Sequence, residues 1–202
     1  MIPSILITTD DDVAPSLVEE TWPAIYREVP RVALSIRYRS LTGKDLSALC
    51  ERLQGRTPFA TLLVSRRLDV VHALDLSGAH LPANGVPTSS ARSYLGMKAM
   101  ILRAAHDEAE LEQARGADGV LISPVFTPIS HASERNPLGL EGLRALAAMS
   151  PVPVMAMGGI TPDNVKDVMA CGAGGVAVSG HVWRAPDPVA ATVALWKAMS
   201  AE

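Results

Sequence analysis

Eight short, nearly continuous apolar runs recur along the chain, and a segment of helical pattern follows each one. The runs are Ile5–Thr9, Val32–Arg37, Ala60–Val64, Gly78–Leu81, Lys98–Ala104, Gly119–Val125, Pro153–Met157 and Gly175–Val178. The helical segments lie near residues 15–28, 43–53, 67–76, 89–95, 107–115, 138–149, 162–171 and 187–200. A strand that is apolar along its whole length, instead of at alternate positions, is buried on both faces, as in a parallel sheet. Eight such βα units in succession predict an α/β fold closed into a (β/α)8 TIM barrel. An open doubly wound sheet is the structural alternative. The 202 residues, 48% of them hydrophobic, suit a single barrel domain spanning 1–202.

Composition then excludes several classes of function. A formal charge of −3 gives no general attraction to nucleic acid or to an anionic membrane. No apolar run approaches the roughly 20 residues of a membrane helix. The opening "MIPSILITTD" reads as a strand, without the basic region of a signal peptide. Cys50 and Cys171 have no metal-ligand spacing and read as structural thiols in a reducing cytoplasm. The expectation is a cytoplasmic protein with no nucleic-acid or membrane partner.

In barrels of this kind the loops after the strands build the active site. After the seventh run comes "VMAMGGITPDNV", 154–165, in which two glycines precede a helix start; Thr161 reads as N-cap and Pro162 as the first helical residue. After the eighth comes Val178-Ser179-Gly180-His181. Glycine lets backbone approach a ligand and leaves amide N–H groups free to meet it. Loops after the last two strands commonly hold a phosphate. Gly158, Gly159, Ser179 and Gly180 are therefore the candidate phosphate cradle. The structural alternative is a tight turn that needs glycine for its own sake.

Arg37 closes the second run, where a guanidinium suits a bidentate contact with phosphate or carboxylate, or else an internal salt bridge. Arg39 and Arg66 extend the positive charge at the strand ends. His106 either reaches the pocket or caps the fifth helix, His80 reads as a pocket wall, His181 lies beside the cradle, and His72 sits within a helix. His131 lies in the long stretch "TPISHASERNP", 127–137, where an imidazole titrating near pH 6.5 suits proton transfer. Asp10, Asp11 and Asp12 read as N-capping and first-turn residues of the first helix, with metal binding as the alternative.

In order along the chain, "LITTD" (6–10), "LSIRYRS" (34–40), "GAHLP" (78–82), "AAHDEAEL" (104–111), "GADGVLISPVFTP" (116–128), "PLGLEGL" (137–143), "MAMGGITPDNV" (155–165) and "GAGGVAVSG" (172–180) resemble the thiamine phosphate synthase/thiazole tautomerase family. The resemblance implies a barrel that binds a thiazole phosphate in thiamine biosynthesis or salvage, and a homodimer. Synthase members join a pyrimidine diphosphate to the thiazole phosphate with Mg²⁺ and release pyrophosphate. Against that pattern Arg37 is kept and the lysine becomes Arg39, both implied to bind substrate. The Asn-Asp metal pair falls on Ser65 and Arg66, and the second metal aspartate falls near Gly85. Three substrate-contacting residues after the sixth strand fall on Pro128, Ser130 and His131, and the tautomerase histidine falls on Pro124.

With the metal positions unmatched, neither Mg²⁺ nor another cofactor is expected. Proton transfer needs no metal, so the sequence favours a tautomerase-like isomerase acting on a phosphorylated small molecule. His131 is the first candidate acid or base and His106 the second; Arg37, Arg39, Ser130 and His80 are the candidate substrate contacts. The alternatives are a synthase proper, a phosphosugar isomerase or epimerase, and a non-catalytic binder or regulator that kept the cradle.

Overall fold

In the computed structural model, described over residues 1–128 and 135–200, eight parallel strands close into a barrel in the order β1 to β8. They are β1 (Ile5–Thr8), β2 (Val32–Ile36), β3 (Thr61–Ser65), β4 (Gly78–Leu81), β5 (Met100–Ala105), β6 (Gly119–Ile122), β7 (Val154–Met157) and β8 (Gly175–Val178). β8 pairs with β1, Ile5 against Val176, so no sheet edge is left open. The apolar runs thus mark all eight strands, and the doubly wound alternative falls away.

Helices surround the barrel: α1 (Pro15–Glu28), α2 (Gly43–Arg56), α3 (Leu68–Ala73), α4 (Thr88–Leu95), α5 (Glu108–Glu112), α6 (Gly139–Met149), α7 (Val165–Met169), α8 (Gly180–Trp183) and α9 (Pro188–Ser200). The four-residue α8 directly after β8 has no counterpart in the sequence reading, because one turn carries no periodicity. No helix of the described residues is long and apolar enough to cross a membrane.

Two helix starts are capped differently from expectation. α7 begins at Val165, since Asn164 Oδ1 accepts the Thr161 N–H at 2.9 Å and Asn164 Nδ2 donates to Gly159 O at 3.0 Å. Those bonds hold 161–164 as a turn, so Thr161 is not the N-cap and Pro162 is not helical. α1 begins after Ala14, which offers no side-chain cap. Asp10 and Asp11 instead reach across to the loop after β2, so the capping role expected for Asp10–Asp12 is corrected.

Strand period explains how the core becomes a site. One inward layer consists of Leu6, Ala33, Leu63, Leu102, Leu121, Met155 and Ala177, all buried within the barrel. Two residues further along each strand the chain returns to the same face. There it presents Thr8, Ser35, Ser65, Ala104, Ser123, Met157 and Ser179, with His80 on β4. The interior therefore passes from apolar to mostly polar within two residues, at the C-terminal mouth. Outward residues such as Ile5, Ile7, Leu34, Val64 and Val176 pack under the helices.

Candidate active site at the barrel mouth

A cavity of about 520 Å³ opens at that mouth. Its lining includes Gly158, Gly159, Ile160, Ser179 and Gly180 from the β7 and β8 loops. Among the described residues the backbone N–H groups of these five find no acceptor. Donors that face an open cavity in this way are available to water or to the oxygens of a ligand.

The glycines have a second reason to be there. Gly158 and Gly159 adopt φ values of 110° and 62°. A Cβ on Gly158 would lie 2.9 Å from Pro124 Cα, and one on Gly159 would lie 2.7 Å from both Phe126 Cβ and Thr127 O. The loop after β6 presses on the loop after β7, with Val125 N–H bonded to Met157 O and Phe126 N–H to Gly158 O. The turn therefore needs glycine even without a ligand, and the same geometry leaves its amides unpaired.

On the opposite side, at the ends of β2 and β3, Arg37, Arg39 and Arg66 line the cavity. Arg37 forms the internal salt bridge that is its alternative reading, and it also lines the cavity. Its Nη2 donates to Asp10 Oδ2 at 2.6 Å and its Nε to Thr9 O at 3.3 Å, while the guanidinium still borders the cavity. Asp11 accepts from the backbone N–H groups of Arg39 and Ser40, each at 3.0 Å, and from Ser40 Oγ at 2.6 Å. The Ser40 bonds, side chain first, hold the Asp11 carboxyl below the ordinary range.

His80 forms part of the floor and is 6% exposed, with Nδ1 3.1 Å from Ser35 Oγ. Burial, with Arg37 nearby, pushes its pKa down to about 4, so the ring is neutral at pH 7. His106 lines the wall without capping α5; Asp107 does that, accepting the Glu110 N–H at 2.9 Å. His106 Nδ1 lies 2.5 Å from Glu110 Oε2, which also accepts the His106 N–H. Arg135 Nη2 donates to the other Glu110 oxygen at 3.1 Å. His181 borders the cavity with a buried Nε2 that has no hydrogen-bond partner among the described residues. His72 is remote and packs its ring at a tilt of 45° against Tyr94. Ser130 and His131 lie outside the described residues. Cys50 and Cys171 are both buried free thiols.

A thiamine monophosphate synthase profile matches residues 5–182 of this sequence. The chain belongs to the thiamine monophosphate synthase family. Among its relatives, the thiamine-phosphate synthase of Moorella thermoacetica is 35% identical over 163 residues, covering 79% of this chain and 78% of that one. The enzyme of the same name from Chlorobium phaeovibrioides is 31% identical over 201 residues, 98% and 94% of the two chains. In structure, a thiamine phosphate pyrophosphorylase from Pyrococcus furiosus superposes with a TM-score of 0.83 at 28% identity, covering 97% of this chain and 95% of that one. The family resemblance drawn from the motifs is thus established, and with it thiamine biosynthesis as the family's setting.

The family's Mg²⁺ does not fit the residues present. Four arginines and one carboxylate are among the described residues lining the cavity, and that carboxylate, Glu110, is held by His106 and Arg135. Ser65 is a neutral hydroxyl, Arg66 is a cation, and Gly85 sits in a turn whose N–H bonds to Pro82 O. Arginine cannot ligate a metal. Among the described residues no three His, Cys, Asp or Glu side chains gather in a metal-binding group.

Three participants escaped the sequence reading. Glu110 and Arg135 are polar residues in polar segments and gave no signal. Arg103 interrupts the β5 run and is 1% exposed; it donates to Val86 O and Ala83 O at 2.8 Å and to Gln113 Oε1 at 2.7 Å. It braces the loop after β4 that carries Asn84 to the mouth. A lone charge inside an apolar strand was its signal.

Proposed function

We propose that this protein is a synthase-type transferase that binds a thiazole phosphate at the β7/β8 amides and joins it to a pyrimidine methyl diphosphate. One observation carries the reading: anion-receiving groups stand on two sides of one cavity. In the closed strand order β3 lies opposite β7, so the arginines face the glycine cradle across the mouth. An isomerase acting on one phosphate needs only one of these. The names of the relatives favour a synthase over the isomerase that the sequence alone favoured.

In the proposed reaction the thiazole nitrogen forms a bond to the pyrimidine methylene carbon. The bond from that carbon to the diphosphate oxygen breaks, and pyrophosphate leaves with the electron pair. Cradle amides fix the thiazole phosphate; guanidinium groups fix the diphosphate and neutralise charge as it leaves. Neutral His80 at the floor adds no competing cation. Gly158, Gly159, Ser179 and Gly180 are the proposed phosphate contacts, and Arg37 and Arg39 the proposed diphosphate contacts.

The test is incubation with both substrates, followed by mass detection of thiamine phosphate and pyrophosphate in equal amounts. Absence of both products would reject the transferase. A second reading, tautomerase-like proton transfer, is favoured by the His106–Glu110 pair, in which a carboxylate orients an imidazole beside the cavity. Conversion of a thiazole-phosphate tautomer by the parent, lost about 10²–10⁴-fold in His106→Ala, would select that reading.

A further inference from the structure

The mouth contains a group that neither the cradle nor the known chemistry of a metal site explains. Arg66 follows β3 directly, in left-handed backbone with φ 68°. That conformation costs an L-residue with a Cβ roughly 1–2 kcal/mol, and glycine adopts it freely. Its side chain is held lightly: Nη2 lies 3.5 Å from Asn84 Oδ1, at the edge of hydrogen-bond range. A side lobe of about 360 Å³ opens beside it, bordered by Arg37, Arg39, Ser65, Arg66 and Arg67 together with Tyr38 and Leu41. Arg67 is paired with Asp69 at 2.5 Å and Arg37 with Asp10 at 2.6 Å, so both add less to the field of the lobe than Arg39 and Arg66. Asp10 is paired with Arg37 and Asp11 is bound by the β2 loop, so neither offers a carboxylate for a cation there.

We propose that Arg66, with Arg37 and Arg39, forms a subsite that binds a diphosphate group directly, without a divalent cation. It deepens the proposed function and rests on it for the identity of the diphosphate-bearing substrate. Arg37, Arg39 and Arg66 line one concave surface from two adjacent strand ends, and guanidinium matches the oxygens of a phosphate in paired hydrogen bonds. Arg66 places a fixed positive charge where a metal held by carboxylates would otherwise stand. A divalent cation brought in by a diphosphate meets the same positive field and is repelled. The subsite thus selects the free diphosphate over its Mg²⁺ complex.

The test is calorimetric titration of the protein with inorganic pyrophosphate, first in EDTA and then in excess Mg²⁺. The expected result is binding in EDTA that weakens when Mg²⁺ sequesters the pyrophosphate. Arg66→Gly keeps the left-handed backbone without its conformational cost, so it folds at least as well as the parent. It should lose about 10- to 100-fold in pyrophosphate affinity, and Arg66→Lys should recover only part of that. Binding that requires Mg²⁺, binding unchanged in Arg66→Gly, or no binding by the folded parent would each overturn the subsite. The readout is independent of turnover. Pyrophosphate binding with the expected Arg66 dependence but no thiamine phosphate product would retain the subsite and reject the transferase.

Discussion

Replacing Gly159 by alanine separates two demands that the β7 turn makes on one residue. The first is conformational: φ is 62°, and a left-handed residue with a Cβ costs roughly 1–2 kcal/mol. The second is space: the new Cβ would stand 2.7 Å from Phe126 Cβ and Thr127 O, so the β6 loop must move. Overpacking of this kind costs roughly 1–3 kcal/mol. Together they amount to about 2–5 kcal/mol, a large part of the roughly 5–15 kcal/mol that holds a typical domain folded. Gly139 supplies the control. Its φ is 66°, nearly the same, and a Cβ there would meet nothing within 4 Å. Gly139→Ala should show the conformational part alone. Urea unfolding of both variants measures the difference, which should favour Gly139→Ala by roughly 1–3 kcal/mol. Equal losses would mean that the β6 loop does not press on the turn. Thiazole phosphate should also bind Gly159→Ala more weakly, because moving the β6 loop shifts the amides beside it.

Two further outcomes follow from buried groups. His80 is held neutral, with its pKa depressed to about 4 from an ordinary 6.5, so the unfolded chain takes up a proton on this ring before the folded one does. Its contribution is full above pH 6.5 and is lost as pH falls toward 4, about 3 kcal/mol in all at roughly 1.4 kcal/mol per pH unit. His80→Asn should flatten the stability profile in that window, and an unchanged acid slope would refute the assignment. Arg103→Met would leave the carbonyls of Ala83 and Val86 and the Gln113 side chain without their donor, costing roughly 2–4 kcal/mol. It should also loosen the β4 loop, read as faster hydrogen exchange at residues 83–86; unchanged exchange there would count against a bracing role.

How much was legible in the sequence depends on the range of the forces involved. Strands buried on both faces must be apolar throughout, so "ILIT", "LLV" and "GVAV" declared themselves, and their regular alternation with helices implied closure. The glycines of "MGGI" and "VSGH" announced turns with little side chain, because backbone conformation is a local property. What they touch was not legible: Gly158 and Gly159 lie against Pro124 and Phe126, residues more than thirty positions earlier, and only closure of β6 beside β7 brings them together. The same holds for charge. Asp10 and Asp11 look like helix caps in sequence, yet adjacency of β1 and β2 gives them Arg37 and Ser40 as nearer partners. Composition set the chain's charge at −3, but the fold gathers Arg37, Arg39, Arg66 and Arg135 around one cavity whose single described carboxylate is already paired. A sequence fixes which charges exist and which backbone turns are allowed. The sign of the field at the barrel mouth is a sum over distances, and only the closed barrel sets those distances.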